Sequence, residues 1–157
     1  MRRKDHEVSN IDDIIAIMKK CDVCQLALFD EEYPYIVPLN FGFSYDGTNI
    51  ALYFHGANAG KKLDLIKNNN KVAFEMDCSH KLIKGEGACE CTMEYESVCG
   101  NGTIELAEGD EKITALTCLM KQYSSESTFQ FNEKLVNAVT VLKLKVNNIT
   151  GKRLSRS

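Results

Sequence analysis

The stretch Tyr35-Ile-Val-Pro-Leu-Asn-Phe-Gly-Phe-Ser-Tyr45, Asp46-Gly47, Thr48-Asn-Ile-Ala-Leu-Tyr-Phe-His55 reads as two extended runs folded back on a tight turn. Both runs are rich in β-branched and aromatic residues, and Asp-Gly between such runs is a strong hairpin signal. Pro38 cannot donate to a ladder, so its strand must be kinked, bulged or at an edge there. Outward from this hairpin, further extended runs follow at Val23 to Phe29, Lys71 to Asp77, Tyr95 to Ala107 and Thr140 to Val146. With Tyr35 to Tyr45 and Asn49 to His55, that makes six strands joined mostly by short turns. The expected fold is therefore mainly β (α+β), a six-stranded antiparallel barrel with short flanking helices.

The helices punctuate this pattern. Ser9 or Asn10 can cap a helix running to about Lys20, with Ile11, Ile14, Ile15 and Met18 on one face. A short helix spans about Lys61 to Lys67, until Asn68-Asn69-Asn70 breaks it. Asp110 to Tyr123 reads as a helix with Ile113, Leu116, Thr117 and Met120 on one face, and Asn132 can cap a last one to Ala138. Cys78 to Cys91 mixes Lys, Gly and Glu without a period and reads as an irregular excursion. Gly100 and Gly102 suggest a bend or bulge, and after Val146 the chain is expected to fade into a basic tail. Neither a repeat nor a linker divides residues 1–157, so one domain is expected.

Composition bounds the function. A 157-residue chain with 44% apolar residues can bury a core. No apolar run approaches the ~20 residues of a membrane span. A net charge of −3 and a pI near 5.6 argue against a nucleic-acid surface. Met1-Arg-Arg-Lys-Asp-His-Glu leads to no apolar segment, so a secretory signal is not expected and a cytoplasmic location is. Seven cysteines, an odd number, disfavour a disulfide framework. Cys21-x-x-Cys24 and Cys89-x-Cys91 have no histidine at ligand spacing, so no metal site is expected. Most of these thiols read as small packing groups, Cys99 included.

Chemistry concentrates where the third strand ends. His55-Gly-Ala-Asn-Ala-Gly60 is a run of small residues after a polar group, and Lys61-Lys62 then opens the short helix. The first-turn amides of a helix have no intrahelical partner and lie at its positive end. Small residues let a ligand approach them, and two ammonium groups add full charge. That is an anion site, suited to a phosphate-bearing cofactor, although a solvated helix start has the same pattern. It is neither Gly-x-x-x-x-Gly-Lys-Ser/Thr nor Gly-x-Gly-x-x-Gly.

Three segments in fixed order carry a likeness: Pro34-Tyr-Ile-Val-Pro-Leu-Asn-Phe-Gly42, Leu52-Tyr-Phe-His-Gly-Ala-Asn-Ala-Gly-Lys-Lys62 and Tyr95-Glu-Ser-Val-Cys-Gly-Asn-Gly102. Together they resemble the pyridoxamine 5′-phosphate oxidase-like FMN-binding split-barrel family, nearest its nitroimidazole-resistance (Nim-type) branch. The likeness runs from the first helix to Ile149-Thr-Gly-Lys152. It implies a split β-barrel homodimer with FMN in clefts at the subunit interface. It places the flavin-ring segment on Val37, Pro38, Leu39 and Asn40, and the phosphate segment on His55, Ala57, Gly60, Lys61 and Lys62. Glu96, Ser97 and Val98 match a strand passing close to the flavin, with Ser97 and Val98 as contacts. His55 is the candidate catalytic residue, as proton donor or substrate-positioning group.

The function implied is an oxidoreductase passing electrons from a donor such as NAD(P)H to a small nitroaromatic or quinone-like acceptor, with neither nucleic acid nor membrane as partner. The alternatives are a non-catalytic flavin-binding or redox-sensing protein, and a pyridoxamine 5′-phosphate oxidase. The chain departs from the true oxidase in having no Trp, and Gly151-Lys-Arg-Leu-Ser-Arg-Ser does not reproduce its substrate-gripping set. Relatives that carry deazaflavin F420 or haem share the fold.

Overall fold

The computed structural model describes residues 4–155. Eight strands form one antiparallel sheet, in chain order β1 (Glu7–Val8), β2 (Cys24–Leu28), β3 (Tyr35–Leu39), β4 (Gly42–Tyr45), β5 (Ile50–Ala57), β6 (Lys71–Ile83), β7 (Thr92–Leu106) and β8 (Val139–Leu154). The spatial order is β3-β2-β6-β7-β8-β5-β4, with β1 pairing β8 at Glu7–Lys152 and Val8–Gly151. The two outermost strands are consecutive in sequence, joined only by Asn40 and Phe41. The sheet therefore curls into an unclosed, barrel-like form, as the split-barrel expectation required.

The count is eight rather than six for two reasons. Short β1 carries no pattern of its own, and the run from Tyr35 to Tyr45 is broken in the middle. At that break Asn40 is exposed while Phe41 is wholly buried in the core. Truncating a side chain placed like Phe41 costs about 3–5 kcal/mol. Gly42 follows because a helix backbone lies directly on it: a Cβ there would sit 2.3 Å from the Leu119 amide nitrogen. The hairpin turn is as read, with the Asp46 carboxylate accepting from the backbone N–H of Thr48 (2.9 Å) and Asn49 (2.7 Å). Those two donors hold its carboxyl below the usual range.

Helix α1 (Ile11–Met18) starts where Asn10 accepts from the Asp12 amide at 2.8 Å, and buries Ile14, Ile17 and Met18. These join Leu26, Leu52, Phe54, Phe74, Met76, Val98, Ile104 and Leu144 inside the curl. Helix α2 (Lys61–Asn68) adds Leu63 and Ile66. Helix α3 (Gly109–Tyr123) covers the opposite face of β5 and β8, packing Ala115 and Leu116 on Ala51, Tyr53 and Val141. Its buried stripe is Ala115, Leu116 and Leu119, not the expected Ile113–Met120 face: Ile113 and Met120 are exposed. The buried face is the one whose backbone, at Cys118 and Leu119, comes down on Gly42, where the absence of a side chain admits it. Helix α4 (Glu133–Asn137) is capped by Asn132, which accepts from the Leu135 amide at 3.3 Å.

Two further expectations are corrected. The segment from Cys78 is no irregular excursion; β6 continues to Ile83 and pairs with Thr92–Glu94 through a bulge between Cys78 and Lys81, with a 3-10 turn at Ala88–Glu90. The basic tail is ladder: β8 runs to Leu154 because β7 pairs with it as far as Tyr95. The expected bulge appears on the same ladder as a register shift at Asn101/Gly102. Among the described residues, no helix is long and apolar enough to cross a membrane.

Candidate functional site

Helix α2 begins without a side-chain cap. Gly60, at φ 138°, occupies the N-cap position, a conformation that glycine alone adopts readily. The lysines that follow have different surroundings. Lys61 Nζ lies 2.5 Å from Asp30 Oδ2 and 5.2 Å from the centroid of the Tyr35 ring. The hydrogen bond to Asp30 raises its pKa. Lys62 instead lies over the end of β5, where a Cβ on Gly56 would meet its Nζ at 2.8 Å. Among the described residues, Lys62 has no carboxylate partner. A positive helix end and one uncommitted ammonium thus belong to the same turn.

These two contacts bridge the split. Lys61 touches the start of β3 and Lys62 the end of β5, strands at or near opposite ends of the sheet path. Helix α2 therefore brings the predicted phosphate segment beside the strand carrying the predicted ring segment. His55 and Ala57 are exposed on β5, opposite Val141 and Val139 of β8. The His55 imidazole has no hydrogen-bond or ion-pair partner among the described residues. Asp30, which sequence reading did not single out, lines a concavity of about 350 Å³ with Ala27, Leu28, Phe29, Pro34 and Ala73.

Strand β3 lies at one end of the sheet path, which satisfies the constraint from Pro38. Val37 and Leu39 turn inward against the core, while Ile36 and Pro38 face out. Asn40 is exposed but held: its amide donates to the Asp22 carbonyl (3.0 Å) and the Tyr123 hydroxyl (3.4 Å). The same hydroxyl accepts from the Phe41 N–H at 2.9 Å and donates to the Asp22 carbonyl at 2.8 Å. Tyr123 therefore takes the place of a ladder partner at the strand break. No motif in the sequence signals that role for a tyrosine at a helix end.

Residues 96–98 are not brought to α2 by any hydrogen bond or ion pair among the described residues. Val98 is wholly buried, so its side chain faces the core rather than a cleft. Ser97 is half-buried on the outer face, between Asp77 and Lys152. Cys99 is exposed there, opposite Glu75 and Thr150, and is not the core thiol the sequence suggested. Partial desolvation and Glu75 both raise its pKa. Glu96 belongs to a different construction. It is buried, and accepts from Lys20, from Arg153 Nε at 2.7 Å and from Ser79 Oγ at 2.8 Å. Burial alone would raise its pKa, but these three donors hold it at about 2. Cys21 and Cys24 are core thiols, and no group of three potential metal ligands exists among the described residues.

A family model described as pyridoxamine 5′-phosphate oxidase matches residues 10–153. The chain is 32% identical to a candidate 5-nitroimidazole antibiotic resistance protein from Bacteroides thetaiotaomicron, over 94% of this chain and 86% of that one, at a TM-score of 0.81. It shares its fold with an FAD and haem binding protein from Mycobacterium smegmatis, at 18% identity, 96% and 74% coverage and a TM-score of 0.83. The same holds for a flavocytochrome from Azotobacter vinelandii, at 16% identity, 99% and 72% coverage and a TM-score of 0.76. No curated protein matches the chain in sequence.

Proposed function

The chain belongs to the pyridoxamine 5′-phosphate oxidase family, and on that footing we propose that it binds FMN between two protomers and serves as an oxidoreductase. Its electrons would come from a reduced donor such as NAD(P)H and go to a small nitroaromatic or quinone-like acceptor. The observation that carries this reading is the Gly60–Lys62 turn: an uncapped helix start and an unpaired ammonium over Gly56 fit a phosphate dianion. The flavin- and haem-binding proteins that share this fold make a flavin the first candidate, and this turn favours one that ends in a phosphate.

In this reading Lys62 and the first amides of α2 hold the phosphate. Lys61, fixed by Asp30 and Tyr35, adds charge from the β3 side. Val37, Pro38, Leu39 and Asn40 offer backbone groups to the ring edge, since an edge strand leaves some of its peptide groups outside any ladder. FMN, when bound, supplies the reversible two-electron chemistry. His55, exposed and unpartnered, holds or delivers a proton at an imidazole nitrogen beside the cleft. Ala57 keeps the approach to the turn open. Ser97, with the backbone at Val98, would be contributed by the second protomer.

The edge of the sheet supports that dimer. Phe29, Tyr33 and Ile36 are 64%, 72% and 61% exposed along β3 and the turn before it. An apolar edge of this kind calls for a partner, and a two-fold dimer is the commonest closed assembly. Free thiols at all seven cysteines suit a cytoplasmic location.

An absorbance scan of the purified protein tests the cofactor: flavin bands are expected, and a haem Soret band or a featureless spectrum would overturn it. Stopped-flow mixing with NADH or NADPH tests the activity. Bleaching of the bound flavin, followed by recovery on adding a nitroaromatic, is the expected result. A flavin that neither nucleotide bleaches, in a protein that turns over no artificial acceptor, would leave a binding protein. A His55→Ala protein should retain FMN and reduce acceptors at least about tenfold more slowly.

A further inference from the structure

Cys21, just past α1, and Cys78, on β6, aim their sulfurs at one acceptor, the Ile17 carbonyl, at 3.4 Å and 4.0 Å. Both are free thiols; Cys21 is wholly buried and Cys78 half-buried. Burial raises the Cys21 pKa, and the neighbouring Cys78 thiol adds to the rise. Cys78 stands at the mouth of the bulge that interrupts the β6–β7 register, next to Ser79 at φ 60°. A bulge leaves its extra residue unpaired and the ladder locally disrupted. Ser79 Oγ, whose proton goes to Glu96, lies 3.6 Å from Cys78 Sγ, and Glu96 Oε2 is a second acceptor within 4.0 Å of that thiol.

The other side of the pair leads to the strand break. Gln122 Nε2 holds the Cys21 carbonyl at 2.9 Å and the Met18 carbonyl at 3.0 Å. The next carbonyl, on Asp22, is the acceptor for both Tyr123 and Asn40. One peptide unit therefore separates a buried thiol pair from the contacts that fix Asn40 and Phe41.

We propose that Cys21 and Cys78 are a reversible oxidation site, closed to a disulfide by hydrogen peroxide, and that its closure loosens the Asn40–Phe41 break. Cys78, the member nearer solvent, reacts first. Its sulfur takes one peroxide oxygen, the O–O bond breaks, and the departing hydroxide leaves as water with the thiol proton. Cys21 sulfur then attacks Cys78 sulfur, the S–O bond breaks, and the second hydroxide takes the Cys21 proton. Two thiols and one peroxide thus give one disulfide and two waters, with two electrons passing from sulfur to oxygen. The new bond, about 2.0 Å long, draws Cys21 toward β6 and with it the Asp22 carbonyl away from Tyr123. Its bearing on a cofactor cleft rests on the FMN reading above; the thiol chemistry does not.

The test treats the full chain with stoichiometric hydrogen peroxide, alkylates the remaining thiols and maps peptides without reduction. The expected product is a Cys21–Cys78 link, reversed by dithiothreitol. Hydrogen exchange at the Phe41 amide, which donates to Tyr123, should quicken at least about threefold in the oxidised form. The Cys78→Ser protein should show neither change; if it fails to fold, the map and exchange of the unmodified chain decide alone. A chain in which peroxide reaches Cys89, Cys91 or Cys99 while Cys21 stays a thiol would overturn the proposal. So would a link that leaves Phe41 exchange unchanged. If neither form binds FMN, the cofactor reading falls while the thiol result still stands.

Discussion

Glu96 and Lys62 show two opposite ways of placing charge in one small sheet. At Glu96 a buried carboxylate is closed in by Lys20, Arg153 and Ser79, and Arg153 reaches on to Asp13 at 3.8 Å. Ser79 lies on β6, Arg153 on β8 and Lys20 just past α1, while Asp13 lies within it, so the cluster ties α1 to β6, β7 and β8. Nothing in it is left to bind. At the α2 start the arrangement is reversed: a helix end without a side-chain cap, one lysine held by Asp30, and one over a glycine with no carboxylate among the described residues. A satisfied cluster supports the fold, whereas an unsatisfied one of the same chemistry marks where an anion would bind.

Reversing the open charge should have the largest effect. Lys62→Glu is expected to weaken FMN binding about 100-fold or more, since it replaces a charge-assisted hydrogen bond by repulsion. Equilibrium urea unfolding should barely change, because Lys62 is not part of the core. Breaking the closed cluster should do the converse. Glu96→Ala is expected to lower unfolding free energy by roughly 2–3 kcal/mol while leaving the FMN affinity of the folded fraction within about twofold. If Lys62→Glu unfolds the chain, or Glu96→Ala abolishes FMN binding, the contrast between the two regions fails.

The pH dependence sharpens the same contrast. The Glu96 carboxyl is held at about 2, below its ordinary value of 4.5. Its contribution to stability is therefore complete above about 4.5 and is lost as the pH falls through about 2. Comparing wild type with Glu96→Gln by urea unfolding should show a stability gap near neutrality that shrinks across that window. A gap independent of pH would contradict the ionic account.

Local signals were legible, and pairings between distant segments were not. The Asp46-Gly47 turn, the Asn10 cap and the break after Lys67 depend on neighbours along the chain, and each appears where its residues predict. Strand β6 beyond Cys78 and β8 beyond Val146 mix polar and charged residues with a few apolar ones, and each is extended because β7 lies beside it. No periodicity in those segments records that. Helix α3 misled for a related reason. Its most hydrophobic stripe is partly exposed, and the face it buries is the one that can meet Gly42 closely. At the site, Gly60, Lys61 and Lys62 were readable as an anion turn. Asp30, Tyr123 and the Glu96 cluster were not, since Lys20 and Arg153 lie 76 and 57 residues from Glu96.

Gly56→Ala should have the smallest effect. The added methyl meets the far end of a flexible side chain, Lys62 Nζ, at 2.8 Å. The fold should survive, with FMN affinity reduced about three- to tenfold as the ammonium is displaced. A Gly56→Ala protein that binds FMN like the wild type would show that Lys62 approaches the ligand by another route.

The central claim is that the turn after β5 recognises a phosphate, and titration calorimetry with FMN and riboflavin side by side isolates it. The two ligands share the ring and differ in the phosphate alone. FMN is expected to bind at least about 30-fold more tightly than riboflavin, with the difference collapsing in Lys62→Ala. Equal affinity for the two ligands, or no heat from either, would contradict the account.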